Sequence, residues 1–489
     1  MGGAILRAAM RLAARTVMLI LPVSFLLSCG GSAPRPANDE TRPPPSAGGS
    51  FLDSLEERTF RYFWELSDPR TGLTPDRAPT PSFVSVGAVG FALTAYPIGV
   101  ERGYVTRVAS AERTLRTLRF FWEAPQDSAV AGSTGYRGFF YHFLDPGTGS
   151  RFQDVELSTM DTALLLGGAL FCGSYFDGAS SREESIRALA DSIYDRVDWR
   201  WAQTRPPTIA LGWKPEEGFL PYDWRGYDEA MLLHILALGS TRHRPTGDVW
   251  SEWLKGYRWG SFEGYEYVGF APLFGHQYTH CWIDFRGIRD GYMRERGIDY
   301  FENSRRAAYA QRAYAKSNPG AWSGYGADCW GLSACDGPLD RTVEIDGRPR
   351  EFHTYWARGA SFTEVSDDGT ISPSSVAASI AFAPEIVLPT LQVMRERFGE
   401  RLFSKYGFVD ALNPTLKLPI DVHHGRVDPA LGWFDTDYLG IDEGPTLIMI
   451  ENYRSRLIWD TMRRNPNIVR GLRAAGFAGG WLDSIRTPR

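Results

Sequence analysis

"ELSTMDTALLLGGALFCGSYF" (156–176) and "SREESIRALADSIYDRV" (181–197) stand almost end to end, with only "DGAS" (177–180) between them. On a helical projection the first stretch is apolar on every side, while the second keeps a wet side. A helix apolar all round is buried, and an amphipathic one covers a core with one face turned to water. The two therefore read as an inner helix and its outer cover. The pairing recurs: "SVGAVGFALTAYPIGVERG" (85–103) is apolar and "RVASAERTLRTLRFFWEA" (107–124) amphipathic, then "YDEAMLLHILALG" (227–239) precedes the mixed "GDVWSEWLKGYR" (247–258). An amphipathic "FLDSLEERTFRYFWELS" (51–67) opens the series, and further helices are predicted at 301–317, 376–398, 440–462 and 467–476. Repeated inner–outer pairing predicts an all-α fold, an (α/α) double-ring toroid.

Short β-like pieces interrupt the helices, at "YRGFFYHFLD" (136–145) and at "TVEIDGRPREFHTYWARG" (342–359), the latter with a hairpin turn at Asp346-Gly347. They read as small β decorations at the mouth of the toroid. No long polar linker interrupts 51–485, so residues 51–489 read as one domain.

The first thirty residues have a separate meaning. Arg7, Arg11 and Arg15 precede a short apolar run ending in "LLSCG" (26–30), too short to span a bilayer as a stop-transfer helix. Residues 1–28 read as a secretory signal, and "LLSC" resembles the bacterial lipobox, which implies lipidation at Cys29. Residues 29–50, rich in Pro, Gly and Ser, read as a flexible tether. The expected location is the periplasm or the outer membrane, with membrane contact only through the lipid anchor. A net charge of −5 points to no nucleic-acid partner, and the chain is expected to be monomeric. Cys329 and Cys335 in "CWGLSAC" could close a small loop, whereas Cys172 reads as a small buried hydrophobe.

With 16 Trp, 22 Tyr, 28 Phe and 51 Gly, the chain is suited to presenting ring faces and tight loops to a ligand, or to filling a large core. No Gly-rich phosphate loop and no GxSxG elbow appear. The pair His276 and His280 in "HQYTH" has the i, i+4 spacing of metal ligands but no evident third ligand, and neither a metal nor a cofactor is expected. The acidic residues are more telling. Asp161, Glu229, and Asp442 with Glu443 each stand at the predicted first turn of an apolar helix. In a toroid, inner helices point like ends toward one mouth, so such residues face a common cavity. Two carboxyls across an aromatic hollow are what glycoside hydrolysis requires, one to protonate the leaving oxygen and one to activate water or attack. Each also has a structural reading. Ser158 and Asp161 fit a capping box, Asp228 fits a cap after Gly226, and Asp442 fits an Asx turn between Gly440 and Gly444. Glu229 lies beyond the cap among bulky apolar groups that raise its pKa, which suits a general acid.

"PLFGHQYTHCWIDFRGIRD" (272–290), "GIDYFENSRRAAYAQRAYAKSNPGAWSGYGADCWGLSACDGP" (297–338), "YDEAMLLHILALGS" (227–240) and "DYLGIDEGPTLIMIENYRS" (437–455) closely resemble the bacterial glucoamylase-like domain family, which includes the endo-β-1,2-glucanases of glycoside hydrolase family 144. The resemblance runs from about residue 55 to 482. It implies an (α/α)6 barrel, action on β-1,2-glucan, inverting chemistry, Glu229 as general acid and Asp161 in the same cleft. It assigns the base to Asp442, with Asp410 in "KYGFVDALNP" and Asp437 in "WFDTDYLG" as rivals. The family pattern has Gln where this chain has Glu443, and a second carboxylate there could raise the pKa of Asp442 or itself become the base. For the sugar-binding wall it points to the segment 272–330, with the rings of Trp282, Trp322, Tyr325 and Trp330 and the polar groups of His276, Arg286, Asn303, Arg305 and Gln311. The readings that compete with an endo-β-1,2-glucanase are an exo-acting, sophorose-releasing enzyme, an α-glucan hydrolase of the same fold, a lyase, and a glycan-binding lipoprotein without catalysis.

Overall fold

In the computed structural model, which describes residues 50–485, helices form the frame. The leader, Cys29 and all of the tether except Ser50 lie outside the described residues. Ser50 caps α1 (Phe51–Leu66) by accepting the Asp53 N–H. Next come α2 (Val86–Glu101), α3 (Arg107–Glu123), α4 (Thr159–Tyr175) and α5 (Ser181–Arg196). The middle of the chain supplies α6 (Met231–Gly239), α7 (Val249–Leu254), α8 (Gly291–Arg296) and α9 (Tyr300–Ser317), and the last third α10 (Pro373–Ala377), α11 (Pro384–Phe398), α12 (Gly440–Arg454), α13 (Leu457–Met462), α14 (Pro466–Ala474) and α15 (Gly480–Ser484).

Burial follows the pattern of side chains. In α4 every residue except Gly173 and Ser174 is buried, and α6 is buried throughout. In α5 only Glu183, Ile186, Ala190, Ile193 and Tyr194 are, a single stripe. The buried helices touch in sequence: α2 packs on α4, α4 on α6, and α6 on the short 3-10 turns at 273–281. Those turns meet α12, which packs on α10 and returns to α2. Gln277 Nε2 donates to Ser375 O (2.6 Å) and Ser379 Oγ (2.8 Å), joining the turns to α10. Around them lie the half-wet helices, α3 on α2 and α5, α1 on α2 and α12, and α14 on α6. Two glycines permit the closest approach: a Cβ on Gly90 would stand 2.2 Å from Leu164 O, and one on Gly168 2.1 Å from Gly90 O. One contiguous cluster of buried apolar side chains reaches from Leu55 to Leu482.

Three predicted helices are divided or shortened. The segment 376–398 breaks before Pro384, which opens α11 at its first position, where the missing N–H would have no partner in any case. The segment 440–462 breaks at Arg456, which adopts φ 62°. At the front of the apolar run the helix starts at Met231, not at 227, so Glu229 lies in the turn before it.

Strand fragments gather where the buried helices begin. Val84–Ser85 leads into α2 and pairs with Phe143–Leu144; Leu157–Ser158 leads into α4 inside a five-stranded antiparallel sheet; Tyr438–Leu439 leads into α12 and pairs with Arg77–Ala78. The hairpin at 341–352 turns at Asp346 and Gly347, both with positive φ. Among the described residues no helix is long and apolar enough to cross a membrane.

Candidate active site

A cavity of about 220 Å³ opens at these helix beginnings, and Ser85, Ser158, Asp161, Glu229, Leu439 and Ile441 are on its wall. Ring faces come from Phe83, Phe143, Trp224, Phe274, Tyr278 and Tyr355, and charge from Asp76, Arg77, His142 and Glu156. Apolar walls with a few convergent polar groups are the usual form of a ligand site.

Asp161 is in the first turn of α4. Ser158 caps that helix by accepting the Asp161 N–H (3.1 Å), and its own hydroxyl donates to Asp161 Oδ2 (2.6 Å). The cap is therefore real, and it also aims the carboxylate at the cavity. His142 joins it from the adjoining strand. Its Nδ1 is 2.9 Å from Glu156 Oε1 and its Nε2 3.5 Å from Asp161 Oδ2. Burial works against an imidazolium, but the carboxylates of Asp161 and Glu156 outweigh it and hold His142 up at about 9. Burial pushes the Asp161 carboxyl up, with the His142 cation and the Ser158 hydroxyl pulling the other way.

Glu229 is positioned by backbone. Gly226 turns the chain with φ 89°, Asp228 Oδ1 accepts the Ala230 N–H (3.0 Å), and Glu229 O accepts the Thr279 hydroxyl (3.2 Å). Asp228 thus braces the turn, as an Asx residue does. Glu229 Oε2 is buried without a protein partner. Burial, reinforced by the charge of Asp161, pushes this carboxyl up to about 7, so it still holds a proton near neutrality.

Asp442 comes from the first turn of α12, one residue beyond Ile441, and is not itself on the lining. Its Oδ1 accepts the Ser374 hydroxyl (3.2 Å), its Oδ2 is buried without a partner, and Tyr278 OH donates to the adjacent Ile441 O (3.3 Å). Burial pushes it up to about 8. Asp410 lies against it, well above the usual carboxylate range through burial and the charge of Asp442. The two carboxyls share one environment and titrate as a pair. Asp437 lies deeper, its Oδ1 accepting the Thr80 N–H (3.0 Å). Glu443 is buried outside the lining, and burial pushes its pKa well up.

The cavity wall draws Phe274 and Tyr278 from the segment 272–330, while the residues named there for sugar contact stand off this lining. Trp282 is wholly buried, stacked on Phe91 at 5.3 Å with its indole N–H on Thr94 Oγ1. Trp330 is buried on Thr390, Arg350 covers the ring of Trp322 at 4.2 Å, and Tyr325 OH donates to Asp367 Oδ1 (2.6 Å). His276 binds Phe270 O against the Tyr227 ring, while Asn303 Oδ1 accepts the Val268 N–H (2.7 Å). Gln311 bridges Ala271 and Leu332, Arg305 holds Phe382 O and Glu385, and Arg286 forks onto Asp284 over Trp459. The physical reason is common to all: a large body with a polar tip satisfies buried backbone and packs a core as readily as it binds a sugar. His280, the partner in the HxxxH spacing, is held to Ser304 Oγ and pushed down to about 3 by burial. Cys329 and Cys335 are both free thiols. What sequence reasoning missed is the group Asp76, Arg77, His142 and Tyr355; the one available signal was a lone histidine in a strand pattern upstream of Glu156.

Comparison with known proteins places the chain in a family. The family described as "Putative glucoamylase" matches residues 221–466. A crystal structure of a protein so described from Bacteroides uniformis is 30% identical, covers 88% of this chain and 98% of its own, and superposes with a TM-score of 0.74. An endo-β-1,2-glucanase from Chitinophaga pinensis, solved with sophorotriose and glucose, is 25% identical with a TM-score of 0.74, covering 88% of this chain and 98% of its own. An exo β-1,2-glucooligosaccharide sophorohydrolase (non-reducing end) from Parabacteroides distasonis is 26% identical over 462 residues, 88% of this chain; the chain spans only 58% of that relative's length.

Proposed function

Since the chain belongs to the "Putative glucoamylase" family, we propose that it is a glycoside hydrolase that cleaves β-1,2-linked glucan, with Glu229 as the acid that protonates the departing oxygen. One observation carries the reading. A buried carboxyl, still protonated near neutral pH and with one oxygen free of protein partners, lies on the wall of an aromatic cavity beside a second carboxylate. That is the state a general acid must be in before reaction. The activities named for the Chitinophaga and Parabacteroides relatives supply the linkage.

In the proposed mechanism the Glu229 proton goes to the glycosidic oxygen as the C–O bond breaks. Water adds from the opposite face in a single displacement and inverts the anomeric centre. The water's proton goes to the Asp442–Asp410 pair, which accepts it when the two carboxyls hold a single proton between them. Asp161, kept charged by His142, holds the Glu229 proton in place until substrate arrives. The ring of buried helices and its outer cover support an (α/α)6 toroid as one domain over 51–489. The leader and the "LLSC" motif support export and lipidation at Cys29, with the enzyme monomeric in the periplasm or at the outer membrane.

The test is incubation with β-1,2-glucan and, separately, with starch, resolving products by chromatography and following the new anomer by NMR. Release of β-1,2-linked glucooligosaccharides with inversion is expected, and an excess of disaccharide from the first time point would mark exo action. Cleavage of starch but not of β-1,2-glucan would refute the substrate assignment, and binding without any product would refute the hydrolase.

A further inference from the structure

Asp336, in the "ACDGP" turn (334–338), and Asp435 and Asp437, in "FDTD" (434–437), each bring a carboxylate oxygen to within 4.8 Å of the others. All three residues are at most 1% exposed. In each carboxylate one oxygen is anchored and its twin is not. Arg77 Nη1 donates to Asp336 Oδ2 (2.5 Å), the Thr436 and Asp437 N–H groups donate to Asp435 Oδ1 (2.6 and 3.2 Å), and the Thr80 N–H donates to Asp437 Oδ1 (3.0 Å). Asp336 Oδ1, Asp435 Oδ2 and Asp437 Oδ2 remain, buried and with no protein donor. Arg77 Nη1 stands 3.9 Å from Asp437 Oδ2, beyond hydrogen-bond range.

Charge makes the arrangement unusual. Three carboxyls face the single guanidinium of Arg77, which also serves Asp76 through Nε (3.4 Å). Asp410 presses on the same group, its Oδ2 accepting the Asp336 N–H (2.7 Å), and the neighbouring His424 is pushed toward its neutral form by burial. Buried carboxylates persist when they are paired or bind a metal. Anchoring one oxygen of each carboxylate on backbone or Arg77 restricts the orientation of its unpartnered twin, as second-shell bonds do in metal centres.

We propose that Asp336, Asp435 and Asp437 form a binding site for one hard divalent cation, calcium in preference to magnesium, behind the wall of the catalytic cavity. Calcium accepts a flexible oxygen shell, which carboxylates each fixed by one anchored oxygen supply more readily than the near-ideal octahedron that magnesium demands. An all-oxygen set disfavours zinc and copper. The ion offsets carboxylate charge in a buried place and ties the 334–338 segment to the strand that leads into α12. Through Asp336 it also fixes Arg77 on the cavity wall.

The test uses the full chain, stripped with EDTA and desalted, and reads binding rather than turnover, so it is separate from the glucan reading. Equilibrium dialysis against about 1 mM calcium is expected to leave one ion per chain. Melting is expected to rise by about 3 °C at 100-fold over Kd, with a smaller rise for magnesium. Asp435→Asn and Asp437→Asn are each expected to weaken binding at least tenfold; should neither fold, the dialysis of the unmodified chain decides alone. No bound calcium overturns the proposal, as does calcium binding unchanged in both variants. It is also overturned if β-1,2-linked oligosaccharide, and no cation, raises the melting temperature in an Asp435-dependent way, since the free oxygens would then serve sugar hydroxyls.

Discussion

Replacing Glu229 by Gln is expected to do two opposite things: remove turnover and stabilise the protein at alkaline pH. An ordinary glutamate titrates at 4.5, and burial with the charge of Asp161 pushes Glu229 up to about 7. A raised carboxyl favours folding below 4.5, where it is protonated in both states. That advantage is lost as pH climbs through 7, where the folded state must accept a buried anion. At 1.36 kcal/mol per pH unit, the gap from 4.5 to about 7 amounts to roughly 3 kcal/mol at pH 8. Glutamine keeps the shape and carries no charge. Urea denaturation should therefore show Glu229→Gln less affected than the parent as pH rises from 4 to 8, ending roughly 3 kcal/mol more stable. Activity on β-1,2-glucan should fall by about 10²-fold or more, the usual share of a general acid. In the parent, kcat/KM should decline on the alkaline side with a midpoint near 7. If the stability difference between the two proteins is the same at pH 5 and pH 8, or if the variant keeps a tenth of the activity, Glu229 is not a buried acid held protonated for catalysis.

Other perturbations follow the same contacts. Asp161→Asn removes the charge that helps hold the Glu229 proton, so the alkaline limb of kcat/KM should move to lower pH; an unmoved limb would disconnect the two carboxyls. Gly226→Ala places a side chain at φ 89° with its Cβ 2.9 Å from Gly256 O, and should destabilise by about 2 kcal/mol in urea while lowering kcat through the displaced Glu229 turn. Cys172, Cys281, Cys329 and Cys335 are buried thiols, so a thiol reagent should find them slow to react in the native protein and quick after denaturation, whereas a persistent bridge would show as two missing thiols.

The parts of the site that could be read in advance are those tied to helix starts. Asp161 and Glu229 were visible because an acid at the front of an apolar run is anomalous on local grounds alone, and both do line the cavity. Asp442 was visible for the same reason but sits one residue behind the wall, next to Asp410, which stands in the bend between the strands Gly407–Phe408 and Leu412–Asn413. The residues named for a sugar wall could not be sorted in advance, because Trp282, Trp330, Asn303 and Gln311 look the same whether their partner belongs to a ligand or to the chain.

Periodicity alone determined the helical frame, because whether a helix has one apolar side or none that is polar is a local property that burial must respect. The start of the run at Met231 and the companions of each acid were tertiary decisions. His142 became the partner of Asp161 because the strand that carries it leads alongside Ser158, and Asp336 met Asp435 and Asp437 because the folded chain brings the two loops together. Which charges share a small volume depends on distances that sequence separation does not encode, and their interaction falls with distance rather than with position along the chain.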